Sequence, residues 1–331
     1  MVRIRKARFL DKFKLKKMIS FLSTDAINQY TKVLLDFPFK NLHSLLPLRW
    51  KFLPESYVIE DAGEIIGMIT LAPASGNPYK LTITRLFLDH DYFNAGKQLV
   101  DFVISKYGAS GASAFLALID DSHDELIHLF VDGCGFRQCS CEQLWKMENF
   151  HVKKQSTTFF RPFKNSDAQA VAMLFNDSVI QHFKHSISRT KSEYHEPLFY
   201  GLKNSVKFKY VVEDDNLKTI KAYFSITTED DSNYILDVTS SPWYDCSWED
   251  IMNFAIKQIS RRKKEFYLFV KLKKFTTTSE NFEKFLVDNN FKCIQNQLIL
   301  VKDFYKVIKE TEPSKSVLLF SDVLEKPVFK I

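Results

Sequence analysis

Residues Tyr57–Leu71 read YVIEDAGEIIGMITL, and residues Tyr210–Ile226 read YVVEDDNLKTIKAYFSI. Each opens on a β-branched and aromatic run, passes an acidic turn and resumes an apolar run, which predicts a β-hairpin. Asp61-Ala62-Gly63 and Asp214-Asp215-Asn216 provide the turn chemistry. The two stretches stand 153 residues apart. Further matches keep nearly the same spacing. LVDFVI from Leu99 lies on IMNFAI from Ile251, and ELIHLFVDGCGFRQ from Glu125 on ENFEKFLVDNNFKC from Glu280, which aligns Phe136 with Phe291. Upstream, RKARFLDKFKLKKM from Arg5 lies on RPFKNSDAQAVAML from Arg161. Four matches in one order, with offsets that differ by no more than four residues, describe one α/β unit written twice.

In the first copy, residues 2–9 alternate as a strand. Asp11 opens an amphipathic helix through Leu22, with Leu10, Phe13, Met18 and Leu22 on one side. Helical stretches follow over 26–36 and 41–48, then the 56–72 hairpin and a third strand over 80–89. A helix over 95–107 carries Leu99, Phe102, Val103 and Tyr107 as one stripe, with Gly108 placed to cap it. Strand 113–119, helix 123–133 and strand 137–147 complete the unit. The second copy repeats this order from about 157 to 303, giving domains over 1–150 and 155–305 and a tail over 306–331.

Composition narrows the function classes. With 331 residues, 45% hydrophobic and 15% aromatic, the chain has ample material for a core. The formal charge of +6 is concentrated: residues 1–17 hold eight Lys or Arg against one Asp. A nucleic-acid binder spreads its basic residues over a whole face, so this distribution argues against one. No run of 18 apolar residues predicts a membrane span, and no apolar stretch near the start reads as a signal peptide. Five Cys without framework spacing point to a reduced, cytoplasmic setting. Cys134, Cys139 and Cys141 lack the paired spacing of a metal site, and His182, His185, His195 and Glu193 lack the H-E-x-x-H pattern. No metal is expected.

The order β-α-α-β-β-β-α-β-α-β, with Gly135-Phe136 closing the last helix, resembles the GNAT N-acetyltransferase superfamily over both halves. The resemblance implies an α+β or α/β fold of two GNAT-like domains, each a mixed, mostly antiparallel sheet flanked by helices. In that family the strand before the main helix ends in an R/Q-x-x-G-x-G/A loop, whose amides hold the pyrophosphate of acetyl-CoA at the helix N-terminus. Here the pattern falls on Asp91-Tyr92-Phe93-Asn94-Ala95-Gly96, keeping only the last glycine. The resemblance places acetyl-CoA or another acyl-CoA against Asn94 (read as the N-cap), Ala95, Gly96, Lys97 and Gln98. It puts the carbonyl oxygen on a backbone amide near Phe87 or Leu88, and Asp124 where the family has an Asn. An ordinary capped helix start explains the same loop residues. In the second copy Trp248 replaces Gly96 and acids follow it, so that copy is read as degenerate.

The implied reaction is acyl transfer to an amine of a small molecule or peptide. The family's general acid, a Tyr five residues before the Gly-Phe Phe, is Val131 here and Leu286 in the second copy. Its central-strand Glu is replaced by Thr84 and Arg85. Glu60, His90, Tyr92 and His128 are the remaining titratable candidates. The alternative is a catalytically inactive protein of the same fold that serves as an interaction or acyl-CoA-sensing module.

Overall fold

The computed structural model describes residues 2–8, 10–11, 14–15, 54–74, 77–88, 92–148, 158–195, 206–214, 219–228, 230–243 and 247–304. In the first copy these form β1 (Arg3–Lys6), β2 (Glu55–Asp61), β3 (Glu64–Ala74), β4 (Asn77–Leu88), α1 (Tyr92–Ala109), β5 (Ala114–Asp120), α2 (Asp124–His128, continued by a π turn to Gly133) and β6 (Arg137–Met147). The second copy supplies β7 (Phe160–Pro162), α3 (Ala168–Ser178), the short helices α4 (Lys184–Ile187) and α5 (Lys191–Tyr194), β8 (Val206–Glu213), β9 (Ile220–Thr228) and β10 (Asn233–Ser240). It ends with α6 (Trp248–Ser260), β11 (Tyr267–Lys273), α7 (Ser279–Asp288) and β12 (Phe291–Asp303). The helices expected over 26–36 and 41–48 and the tail lie outside the described residues.

Twelve strands make one sheet in the order β1-β2-β3-β4-β5-β12-β6-β11-β10-β9-β8-β7. It is mixed and mostly antiparallel: only β4/β5 and β10/β11 run parallel. The copies exchange their last strands. β12 pairs with β5 from Ala114 opposite Asp303 to Asp120 opposite Gln297, while β6 pairs with β11 and with β12. Each copy's open edge is thereby covered by a strand of the other.

Helices pack on both faces. α1 and α2 bury Leu99, Val100, Val103 and Phe130 against Ile59, Ile69 and Phe115 of the first copy. α6 and α7 do the same for the second copy with Ile251, Ala255, Ile259 and Leu286. On the opposite face α3 lays Val171, Phe175 and neighbours over a mixed floor, in which Leu116 comes from one copy and Ile299 and Val301 from the other.

The repeat extends to its ion pairs. Arg5 grips Asp11 through two hydrogen bonds of 2.7 and 2.8 Å and also donates to Glu60. Arg161 grips Asp167 at 2.7 and 3.0 Å and donates to Glu213. In each copy the fork ties the first strand, the start of the first helix and the end of the hairpin's first strand.

Three local expectations are corrected. Leu10 is exposed, and Leu15 is buried with Val58, Met68 and Phe87; Phe13, Met18 and Leu22 lie outside the described residues. Gly108 lies within α1, and Gly111, at φ +96°, takes the left-handed conformation after it. α1 begins at Tyr92, so Asn94 is its third residue rather than its N-cap. The sequence between β4 and α1 holds no glycine to end the strand cleanly, and the helix starts a turn earlier than the R/Q-x-x-G-x-G/A reading places it.

Candidate functional site

Parallel strands β4 and β5 pair from Lys80/Ala114 to Ile83/Ala117 and then part. Beyond that point β4 stays bound to β3 as far as Leu88, and β5 to β12 as far as Asp120. Thr84–Leu88 therefore present the side of their backbone that faces β5 to a split in the sheet. A bulge marks its start: Arg85 opposes Thr70 and Ile83 opposes Leu71, leaving Thr84 as the extra residue. Thr84 Oγ1 donates to the Thr70 carbonyl at 3.3 Å.

α1 starts just past the end of β4. Its first turn carries no acidic residue, although Asp91 directly precedes it in the sequence. Asn94 and Gln98 are exposed and Ala95 is buried. Gly96 has a packing reason of its own: a Cβ there would stand 2.6 Å from Leu129 Cδ2 and 2.9 Å from Leu88 Cδ1. The end of β4, the second turn of α1 and the turn after α2 meet at this glycine. Lys97 donates to Asp101 at 2.7 Å and to the Gly133 carbonyl at 2.8 Å. Phe87 is buried with Leu15 and Met68, and Leu88 belongs to the α1 core.

The titratable candidates are dispersed. Glu60 is held by Arg5 at the far end of β2, its carboxyl kept below the usual range by that hydrogen bond. His128 is exposed, bonds Asp132 at 2.6 Å and lies against the Phe93 ring at 5.4 Å, beside the start of α1. Asp124 opens α2 and is exposed. Tyr92 is the first residue of α1, and His90 lies outside the described residues. Val131 packs on the first core, and Leu286 is buried in the second. Among the described residues no group of three His, Cys, Asp or Glu is placed to hold a metal ion. Burial raises the thiols of Cys134, to about 11, and of Cys139 and Cys141.

The second copy builds the same split and closes it. β10 and β11 pair from Asn233/Tyr267 to Asp237/Lys271 and then part, at the same register 153 residues on. Asp237 thus corresponds to Thr84, and Lys273 to Asp120. Lys273 is 3% exposed. Its ammonium donates to the Val238 carbonyl and to Thr239 Oγ1, both at 3.2 Å, and pairs with Asp237. Burial alone would raise the Asp237 carboxyl, but Lys273, Lys271 and Arg189 outweigh it and hold it at about 2. At the helix start, Ser247 caps the Asp250 amide at 3.1 Å, Glu249 and Asp250 occupy the first turn, and Trp248 stacks on Phe282.

Asp237, Lys273 and Arg189 were not among the residues singled out from sequence. Counting 153 residues from Thr84 and Asp120 reaches the first two, but nothing local to them signals a site.

Residues 25–136 match the model of the acetyltransferase (GNAT) family. The chain is similar in fold to a tandem GNAT protein from the clavulanic acid biosynthesis pathway. That likeness has a TM-score of 0.60 at 9% identity and covers 92% of this chain and 98% of that one. A GCN5-related N-acetyltransferase from Sphaerobacter thermophilus is similar at a TM-score of 0.59 and 11% identity, over 91% of this chain and 95% of that one. No curated protein matches the sequence. Among the described residues, no helix is long and apolar enough to cross a membrane. The first copy thus carries the match to the acetyltransferase (GNAT) family, over residues 25–136, and nearly the whole chain shares the fold of a tandem GNAT protein.

Proposed function

We propose that the first copy binds acetyl-CoA or another acyl-CoA in the split between β4 and β5 and transfers the acyl group to an amine. The observation that carries this reading is the parting of β4 from β5 after Ile83 and Ala117, just before the start of α1. A pantetheine arm carries amides and can pair with the β5-facing edge of Thr84–Leu88 as an added strand does. Its pyrophosphate would sit at the amides that open α1. A backbone amide near Phe87 or Leu88 would hold the thioester oxygen as charge develops on it. The same assignment makes the second copy a packing partner without a cofactor, because Lys273 fills its split.

The rival reading, a protein that binds acyl-CoA without turnover, is favoured by one observation: Val131 and Leu286 sit in apolar cores where the family's proton-donating Tyr would stand. Calorimetry with acetyl-CoA tests the shared first step, with one molecule per chain as the expected stoichiometry. At about a hundredfold excess over the dissociation constant, the ligand adds about 2.7 kcal/mol of stability. A silent calorimeter and an unmoved melting curve would end both readings. Binding with CoA release in the presence of an amine pool supports transfer, and binding without release supports sensing.

A further inference from the structure

Where the two copies meet beneath α3, nearly every charge is spoken for. Lys273 holds Asp237, Lys271 holds Glu142 at 3.1 Å, and Arg137 holds Asp303 at 2.7 Å. Glu193 accepts from the Thr190 amide at 3.1 Å. Two cations are left over. Lys80, from β4 of the first copy, is buried and donates only to the Ser188 carbonyl at 3.1 Å. Arg189, the next residue, stands over the Phe175 ring with its guanidinium carbon 4.2 Å from the centroid. Its one hydrogen bond from the guanidinium is a long 3.4 Å contact from Nη1 to the Tyr194 hydroxyl. Among the described residues no carboxylate lies within ion-pair distance of Arg189. The residue keeps some solvent contact.

A guanidinium has five N–H donors in a plane. No guanidinium atom of Arg189 is both sealed from solvent and unpartnered, so the unused donors face water that another acceptor can displace. Phe175 takes one face of Arg189, and Tyr194 takes one nitrogen. The in-plane edge formed by Nε and Nη2 is left, which is the shape that two coplanar carboxylate oxygens fit. The charges nearby favour a monoanion. Asp237 and Glu142 are close enough to act on Arg189, so a dianion such as phosphate would meet more repulsion than a carboxylate.

We infer that Arg189, supported by Lys80 across the seam, is a binding site for the carboxylate of a small molecule. The site lies in the second copy's half of the sheet and is separate from the acyl-CoA split, so each can fail without the other. Its ligand would be gripped jointly by one residue from each copy, which gives the fused sheet a use beyond packing.

The test uses the full chain, 15N-labelled and free of acyl-CoA, with acetate and benzoate as probes and acetamide, benzamide and chloride at matched ionic strength as controls. One arginine Nε–Hε resonance should move saturably with the carboxylates and stay still with the amides and chloride. Arg189→Lys should remove that resonance and weaken carboxylate binding about tenfold or more, since the ammonium keeps the charge but not the fork. Lys80→Met should weaken binding while leaving the Arg189 resonance of the free protein in place. The inference is overturned if chloride reproduces the acetate shift, if no arginine resonance responds saturably, or if Arg189→Lys binds the carboxylates as well as wild type.

Discussion

The split between β4 and β5 and the split between β10 and β11 are the same construction with opposite contents. Both follow a short parallel pairing that starts at corresponding residues and runs one pair longer in the second copy. The first has a bulge at Thr84, a helix with no acid in its first turn and, among the described residues, no lysine reaching across it; Asp120 turns instead to Ser122 and Gln295. The second has Lys273 bonded to the edge of β10, Asp237 neutralised beside it, and a capped, acidic helix start. At corresponding positions the sealed copy has Asp237 and the open copy Thr84. The duplicated fold keeps its hydrophobic skeleton in both copies while the polar residues at the two splits differ.

The comparison can be broken most severely at Lys273. Lys273→Met leaves Asp237 enclosed without its cation, and removing one partner of a buried pair costs about 3–5 kcal/mol. Thermal unfolding of this variant should show that loss, and adding Asp237→Leu should recover most of it. A loss under about 1 kcal/mol would mean that the pair behaves as a surface bridge and seals nothing.

The reverse operation is Asp120→Lys, which places the second copy's ammonium at the first copy's split. The gain of about 2.7 kcal/mol expected from saturating acetyl-CoA should vanish. An undiminished thermal shift would move the ligand away from that split.

Lys80 and Asn233 open the paired segments of the two splits, and only Lys80 is a buried cation. Burial pushes its ammonium down to about 8 from the ordinary 10.5. Between those values the unfolded chain binds the proton that the folded chain has released, so stability from this group rises with pH across that window. Lys80→Met should remove the rise and stabilise the protein at pH 7 by about 1–3 kcal/mol. Unfolding measured between pH 7 and 10.5 decides it.

The smallest difference is expected at the paired forks. Arg5→Ala and Arg161→Ala should each cost about 1–2 kcal/mol, because both forks are charge-assisted and partly shielded. For Asp167 the Arg161 bond lowers the carboxyl; for Asp11 burial opposes the shift, and the Arg5 bond, the Arg8 amide and both charges together outweigh it. Carboxyls lowered in the folded state stabilise it above their unfolded pKa. That contribution fades as pH falls through the folded value, and it should fade in parallel in both copies. An acid titration in which one alanine variant alone loses this sensitivity would show that the forks are not equivalent.

Much of this was legible in the residues. The hairpins, the stripe Leu99, Phe102, Val103 and Tyr107, and the strand over 137–147 follow from periodicities of two and 3.6 that depend on local chemistry alone. The alignment of Arg5 with Arg161 foreshadowed the two forks without revealing them, since their carboxylates come from elements far apart in the chain. Gly96 was legible as unusual but not for its packing cause, because Leu88 and Leu129 reach it from different elements. Asn94 was misplaced by one turn because capping residues signal a helix start only to within a few positions.

By itself, then, the sequence determined that one α/β unit is written twice and that acids follow Trp248 in the second copy where Gly96 and Lys97 stand in the first. Those properties rest on side-chain periodicity and on residues next to one another. Only the tertiary structure decided that the copies exchange β6 and β12, that Lys273 crosses into the second split, and that Lys80 and Arg189 remain as uncommitted cations at the seam. Each of these depends on which strand edge pairs with which and on what burial does to a charge once several chain segments have closed around it, and neither quantity is written in any local stretch of residues.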